Sequence, residues 1–167
     1  MAARFTLTID DADVGAALAR IRAVGADMTP LMQDIGMEGE ESTRRRFDTN
    51  LAPDGTPWKP SLRAKVVGGK TLVQGGFLRD FINYQLDGDS AVEWGSNLVY
   101  AAIHQTGGVI TAKTARGLSF VLATGERAVV QSVTLPARPY LGLAAEDKAE
   151  ILDIVGDHFR RAVGGAG

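Results

Sequence analysis

The chain has no cysteine, which excludes disulfides, thiol nucleophiles and zinc centres with Cys ligands. Histidine is nearly as scarce: His104 and His158 are the only two among 167 residues, too few for a His-rich metal cage. An excess of one charge is missing too. Eighteen Lys and Arg stand against 20 Asp and Glu, a net charge of −2, whereas a dedicated nucleic-acid binder carries a strongly basic footprint. No stretch approaches the ~20 apolar residues of a membrane span, and the start, Met1 to Thr6, has no apolar run of the signal-peptide kind. The expectation is a soluble, non-secreted protein with no membrane partner. Internal repeats and low-complexity tracts are absent as well. What is present is 45% apolar and 23% charged residues, enough to build one core, so the whole chain, 1–167, reads as a single domain.

Local patterns divide the chain. Phe5, Leu7 and Ile9 alternate with polar residues, which predicts a first strand over Arg4 to Asp10. Asp10 and Asp11 can cap a helix carrying Val14, Ala17, Leu18, Ile21 and Val24, with Gly25 as its stop. A second helix is predicted from Thr29, with Pro30 in its first turn and Leu31, Ile35 and Phe47 as apolar positions. Gly36 and Gly39 either weaken it or permit close packing. Three prolines and an Asp-Gly pair between Asn50 and Pro60 impose a stiff loop around Trp58. Short helices follow at Ser61 to Val67 and Gly76 to Asp80. Ile82, Tyr84 and Leu86 then pair across Asp87-Gly88 with Val92 and Trp94 as a hairpin. Leu98 to Thr106 fits a helix stopped by Gly107-Gly108. The stretch Gly107 to Gly117, small and polar with Lys113 and Arg116, reads as a flexible arm. Phe120 and Leu122, then Val129, Val133 and Leu135, predict a hairpin around Thr124-Gly125-Glu126. A last helix, Ala145 to Val163, aligns Ile151, Leu152, Val155, Phe159 and Ala162. The fold class is therefore α+β, an antiparallel sheet packed by helices, with amphipathic helices near both ends.

Catalytic chemistry is thinly represented. His104 with Asp87 or Asp89 is the one conceivable acid–base pair, and a packed histidine with one hydrogen bond is the simpler reading. His158 sits mid-helix. Gly68-Gly69-Lys70-Thr71 lacks the upstream glycine of a phosphate-binding loop. Arg44-Arg45-Arg46 is the densest basic run, but consecutive helical residues point about 100° apart. A solvated helix face balanced by Glu38, Glu40 and Glu41 explains it more simply than phosphate contact. No catalytic residue, cofactor site or metal site is assigned.

Five short motifs stand in order: Pro53-Asp54-Gly55-Thr56-Pro57-Trp58, Gly76-Phe77-Leu78-Arg79-Asp80, Val92-Glu93-Trp94-Gly95-Ser96, Tyr100-Ala101-Ala102-Ile103-His104-Gln105-Thr106-Gly107 and Pro136-Ala137-Arg138-Pro139-Tyr140-Leu141-Gly142. Together, over roughly Phe47 to Val163, they resemble the phage virion-morphogenesis proteins of Mu-like phages, related to tail-completion proteins of contractile-tailed phages. Residues 107 to 135 carry no motif of that family. The resemblance implies a non-catalytic virion protein of the neck or tail end, acting in tail completion or head–tail joining. It further implies a six-fold ring of copies around the DNA channel, with neck, connector and tail-tube proteins as partners and DNA passing without tight binding.

Assembly function resides in surfaces, and the candidate interface residues are Pro57, Trp58, Tyr100, His104, Gln105, Lys113, Arg116, Arg138, Pro139 and Tyr140. The Trp58 loop and the Arg138-Pro139-Tyr140 corner are expected as the two unlike halves of a head-to-tail contact. Two rivals remain: a small DNA-binding module using Arg44 to Arg46, Lys113 and Arg116, and a hydrolase built on His104.

Overall fold

The computed structural model describes residues 12–164; the first strand expected at Arg4 to Asp10 lies outside them. In chain order the elements are α1 (Ala12–Ala26), α2 (Thr29–Thr49), α3 (Leu62–Val66), α4 (Phe77–Asp80), β1 (Asn83–Asp87), β2 (Ala91–Gly95), α5 (Ala101–Thr106), β3 (Gly108–Thr111), β4 (Leu118–Val121), β5 (Arg127–Val130), β6 (Ser132–Leu135) and α6 (Ala145–Gly164). The class is α+β, as expected, with helices near both ends. The sheet, however, is three separate antiparallel ladders, β1–β2, β3–β6 and β4–β5.

Helix α2 begins with Pro in its first turn and ends at Asn50, whose left-handed φ of 58° turns the chain out of the helix. One face of α2 holds the β1–β2 hairpin, and two glycines decide how closely. A Cβ on Gly36 would lie 2.6 Å from the Tyr84 ring, and one on Gly39 would lie 2.6 Å from the Trp94 ring. Of the two roles expected for these glycines, close packing is the one observed. Gly39→Ala should therefore lower stability by about 1–2 kcal/mol in urea unfolding, because overpacking outweighs the gain in helix propensity. A neutral or stabilising result would contradict this packing.

Helix α6 packs on an adjoining face of α2, and α1 packs beside α6. Arg20 of α1 donates from Nε to the Ala162 carbonyl at 3.0 Å and from an η nitrogen to that of Val163 at 3.1 Å. It thereby satisfies acceptors that the end of α6 leaves open.

Strands β3 to β6 build one long two-stranded arm. Gly108 to Thr111 pair with Ser132 to Leu135, and Leu118 to Val121 pair with Arg127 to Val130. Between the two ladders, residues 112–117 of the outgoing side face Gln131 of the returning side, and Ala112 N–H donates to the Gln131 carbonyl at 2.8 Å. The hairpin turn falls at Thr124-Gly125-Glu126, as predicted, with Leu122 N–H on the Glu126 carbonyl at 2.7 Å. Val133 and Leu135 are not in that ladder; they pair with β3. The expected arm, 107 to 117, thus covers only the outgoing side of a longer structure.

Candidate functional site

The core sits where four of the five sequence motifs meet. Phe47, Ala52, Trp58, Leu78, Ile82, Ala101 and Tyr140 form one buried cluster. The Phe47 ring lies 5.4 Å from that of Trp58, edge to face, and 5.3 Å from that of Tyr140. Trp58 Nε1 donates to the Pro139 carbonyl at 2.8 Å, and the Tyr140 hydroxyl donates to the Ala101 carbonyl at 3.0 Å. Burial raises the Tyr140 phenol above its ordinary range.

Gln105 closes this assembly. Its Oε1 accepts from the N–H groups of Tyr140 and Leu141 at 2.9 and 3.0 Å, and its Nε2 donates to the Leu141 carbonyl at 3.0 Å. Arg138 N–H donates to the His104 carbonyl at 2.8 Å, and Arg138 Nε to the Lys59 carbonyl at 2.8 Å. Gly107 allows the approach: its φ is 70°, and a Cβ there would lie 2.5 Å from Ala137 N.

These contacts correct one expectation. Trp58 and Tyr140 are 5% and 1% exposed and belong to the same intrachain cluster, so the Trp58 loop and the 138–140 corner are joined parts of one core and not two opposed patches. The reason is geometric. The stiff loop is folded back by the Ala52 N–H to Thr56 carbonyl bond and the Trp58 N–H to Asn50 carbonyl bond, both 2.9 Å, and this aims the indole inward. Pro57, beside it, stays exposed.

The three arginines of the basic run separate as the 100° rotation requires. Arg44 pairs with Glu40 and Arg45 with Glu38, each at 2.7 Å. Arg46 is buried rather than solvated. It pairs with Asp147 of α6, and its guanidinium also donates to Ser42 Oγ at 3.0 Å and the Tyr140 carbonyl at 2.9 Å. Burial lowers the Arg46 pKa and the Asp147 charge opposes that fall. Asp147 accepts in addition from Ser42 Oγ and from Ala144 N–H at the start of α6, the return half of a capping box. Each arginine therefore has an internal carboxylate, which removes the basic centre of the DNA-binding rival. The partner Asp147 was not singled out from sequence; its position three residues into a helix is the available signal.

A groove of about 600 Å³ opens beside the core, between α3, α4, α5 and the base of the arm. Its apolar floor includes Leu72, Leu78 and Leu135, and its walls include Lys59, Arg63, Lys65, Tyr100, His104 and Arg138. Among the described residues no Asp or Glu lines it. Arg138 is 5% exposed and, among the described residues, has no carboxylate partner. Burial lowers its pKa.

His104 lies against this cation and Tyr100, whose ring centroid is 6.0 Å away. Its Nδ1 is buried without a hydrogen-bond partner among the described residues. Burial first, and the Arg138 charge second, lower its pKa below 6.5. No carboxylate contributes, so the acid–base pair with Asp87 or Asp89 is not assembled. Because the folded state resists protonation, the unfolded chain binds the proton first, and stability should fall as pH drops below about 6.5. His104→Gln should flatten urea midpoints between pH 7 and pH 5; an unchanged slope would contradict this assignment.

The remaining candidates lie elsewhere. Lys113 and Arg116 are exposed on the 112–117 segment of the arm, away from the core. Lys70 and Thr71, from the glycine-flanked stretch, serve the loop: Lys70 Nζ meets Asp48 at 2.8 Å, and Thr71 N–H donates to Asn50 Oδ1 at 2.7 Å. Among the described residues no helix is long and apolar enough to cross a membrane, and no cluster of His, Asp and Glu is suited to a metal ion.

Comparison with known proteins agrees with the motifs that build this core. Over 148 residues the chain is 31% identical to Mu-like prophage FluMu G protein 2 of Haemophilus influenzae, covering 89% of this chain and 90% of that protein. No solved structure matches it. Residues 9–160 match the phage virion morphogenesis family, a span that contains all five motifs and the buried cluster to which four of them contribute; the chain belongs to that family.

Proposed function

We propose that the protein is a structural subunit of the phage neck or tail end that acts in tail completion or termination and head–tail joining, without catalytic activity. Copies form a ring around the DNA channel, with connector and tail-tube proteins as axial neighbours and DNA passing without tight binding. Six-fold symmetry follows from the family resemblance alone.

The observation that carries this reading is the arm, 108–135. An isolated two-stranded hairpin is marginal in water, yet this one leaves Val109, Ile110, Phe120, Val121 and Val129 exposed and, among the described residues, both outer edges without a neighbouring strand. Exposed edges and apolar side chains of this kind are covered when subunits assemble. Lys113 and Arg116 provide the check. Trypsin should cut after them rapidly in the free protein and slowly in the assembled one; equal rates would count against a role for the arm. Imaging a phage that lacks the protein tests the function itself. Tailless heads beside separate tails are expected, and normal particles would refute it.

A further inference from the structure

Among the described residues the groove beside the core is lined by four Lys and Arg cations, Lys59, Arg63, Lys65 and Arg138, and by no acid. Arg63 donates to the carbonyls of Gly68 and Lys70, and Arg138 to that of Lys59. None of the four has a carboxylate partner among the described residues. A guanidinium as buried as Arg138 is costly to leave without a counter-charge, so the groove is incomplete in the single chain.

The complement lies on α6. Glu146, Glu150, Asp153 and Asp157 are spaced four, three and four residues apart, which places them along one helical stripe. All four are exposed, and at 1.5 Å per residue the stripe is about 16 Å long. Asp157 pairs with Arg160 at 2.5 Å; the other three have no cation partner among the described residues. No residue of α6 lines the groove, because α6 packs on α1 and α2 through its other face.

We infer that the groove receives the acidic stripe of α6 from a second copy of this chain. The stripe's carboxylates meet Lys59, Lys65 and Arg138. The contact joins two different patches, so it is head to tail and propagates from copy to copy, as ring closure requires. It rests on the assembly reading above and specifies which surfaces meet. The occupant is a protein carboxylate and not a nucleic-acid phosphate because the same chain displays the matching carboxylates at helical spacing, and its net charge of −2 gives no basic footprint for nucleic acid.

Carbodiimide joins Lys amines to Asp or Glu carboxylates only where they touch, and it can be applied to wild-type protein in mature particles and in concentrated solution. The expected junctions, mapped by peptide mass, link Lys59 or Lys65 to Glu150 or Asp153 of another copy. In solution, Lys65→Glu should weaken self-association by about tenfold or more, and adding Glu150→Lys should restore it. Both positions are exposed, so folding is not at issue. Intermolecular junctions through other residues in a ring seen by imaging would overturn the groove contact and leave the ring reading intact. Particles without a ring would overturn the ring reading, and the junctions formed in solution would then decide the groove. Duplex DNA binding lost in Lys65→Glu would overturn the inference in favour of phosphate.

Discussion

Asp147→Ala should be among the most damaging single substitutions in this chain, with an expected loss of about 3–5 kcal/mol, since it strands the buried Arg46 guanidinium. The same carboxylate caps α6 through Ala144 N–H and accepts from Ser42, so its removal loosens α6 from α2 and frays its first turn together. Chemical denaturation of the purified protein measures the loss. Replacing both ends of the pair, as Arg46→Met with Asp147→Leu, should recover most of it, because two apolar groups leave no charge unpaired. If the double variant is no more stable than Asp147→Ala, the pair is not what joins the helices.

Trp58→Ala should cost a comparable amount, about 3–5 kcal/mol, by opening a cavity beside Phe47 and Tyr140. It also strands the Pro139 carbonyl that the indole N–H satisfies. The loss should appear in the isolated chain as a lower urea midpoint and reduced cooperativity, before any assembly is attempted. This reverses the sequence-based expectation that places Trp58 at an interface. A stable variant that fails only to assemble would return Trp58 to the interface.

The contrast shows what a sequence of this kind discloses. Helix α2 and helix α6 were legible because their apolar spacing is local and their ends carry Pro30 and Gly164. The β1–β2 hairpin was legible because Asp87-Gly88 sits between two alternating runs. The direction of Trp58 was not, since a proline-stiffened loop reads the same whether its aromatic faces inward or outward; the bonds from Trp58 and Ala52 back to Asn50 and Thr56 decide it. The pairing of β3 with β6 was hidden because its partners, from Thr111 with Ser132 to Gly108 with Leu135, are far apart in sequence and small, polar residues on the outgoing side resemble a loop. Arg46 was separable from Arg44 and Arg45 by helical rotation, but its partner lies 101 residues away, and no local pattern links Ser42 and Arg46 to Asp147. Four of the five motifs that carried the family resemblance proved to pack together in one core, which is why they identified the family and not an active site.

The ring itself is tested most directly by the symmetry and copy number of this protein in mature particles, measured by electron microscopy. A closed ring of copies around the axial channel is predicted, each arm covered by its neighbours and the lumen neutral or acidic. One or two scattered copies, an arm left in solvent, or a lumen lined chiefly by Arg and Lys would contradict it.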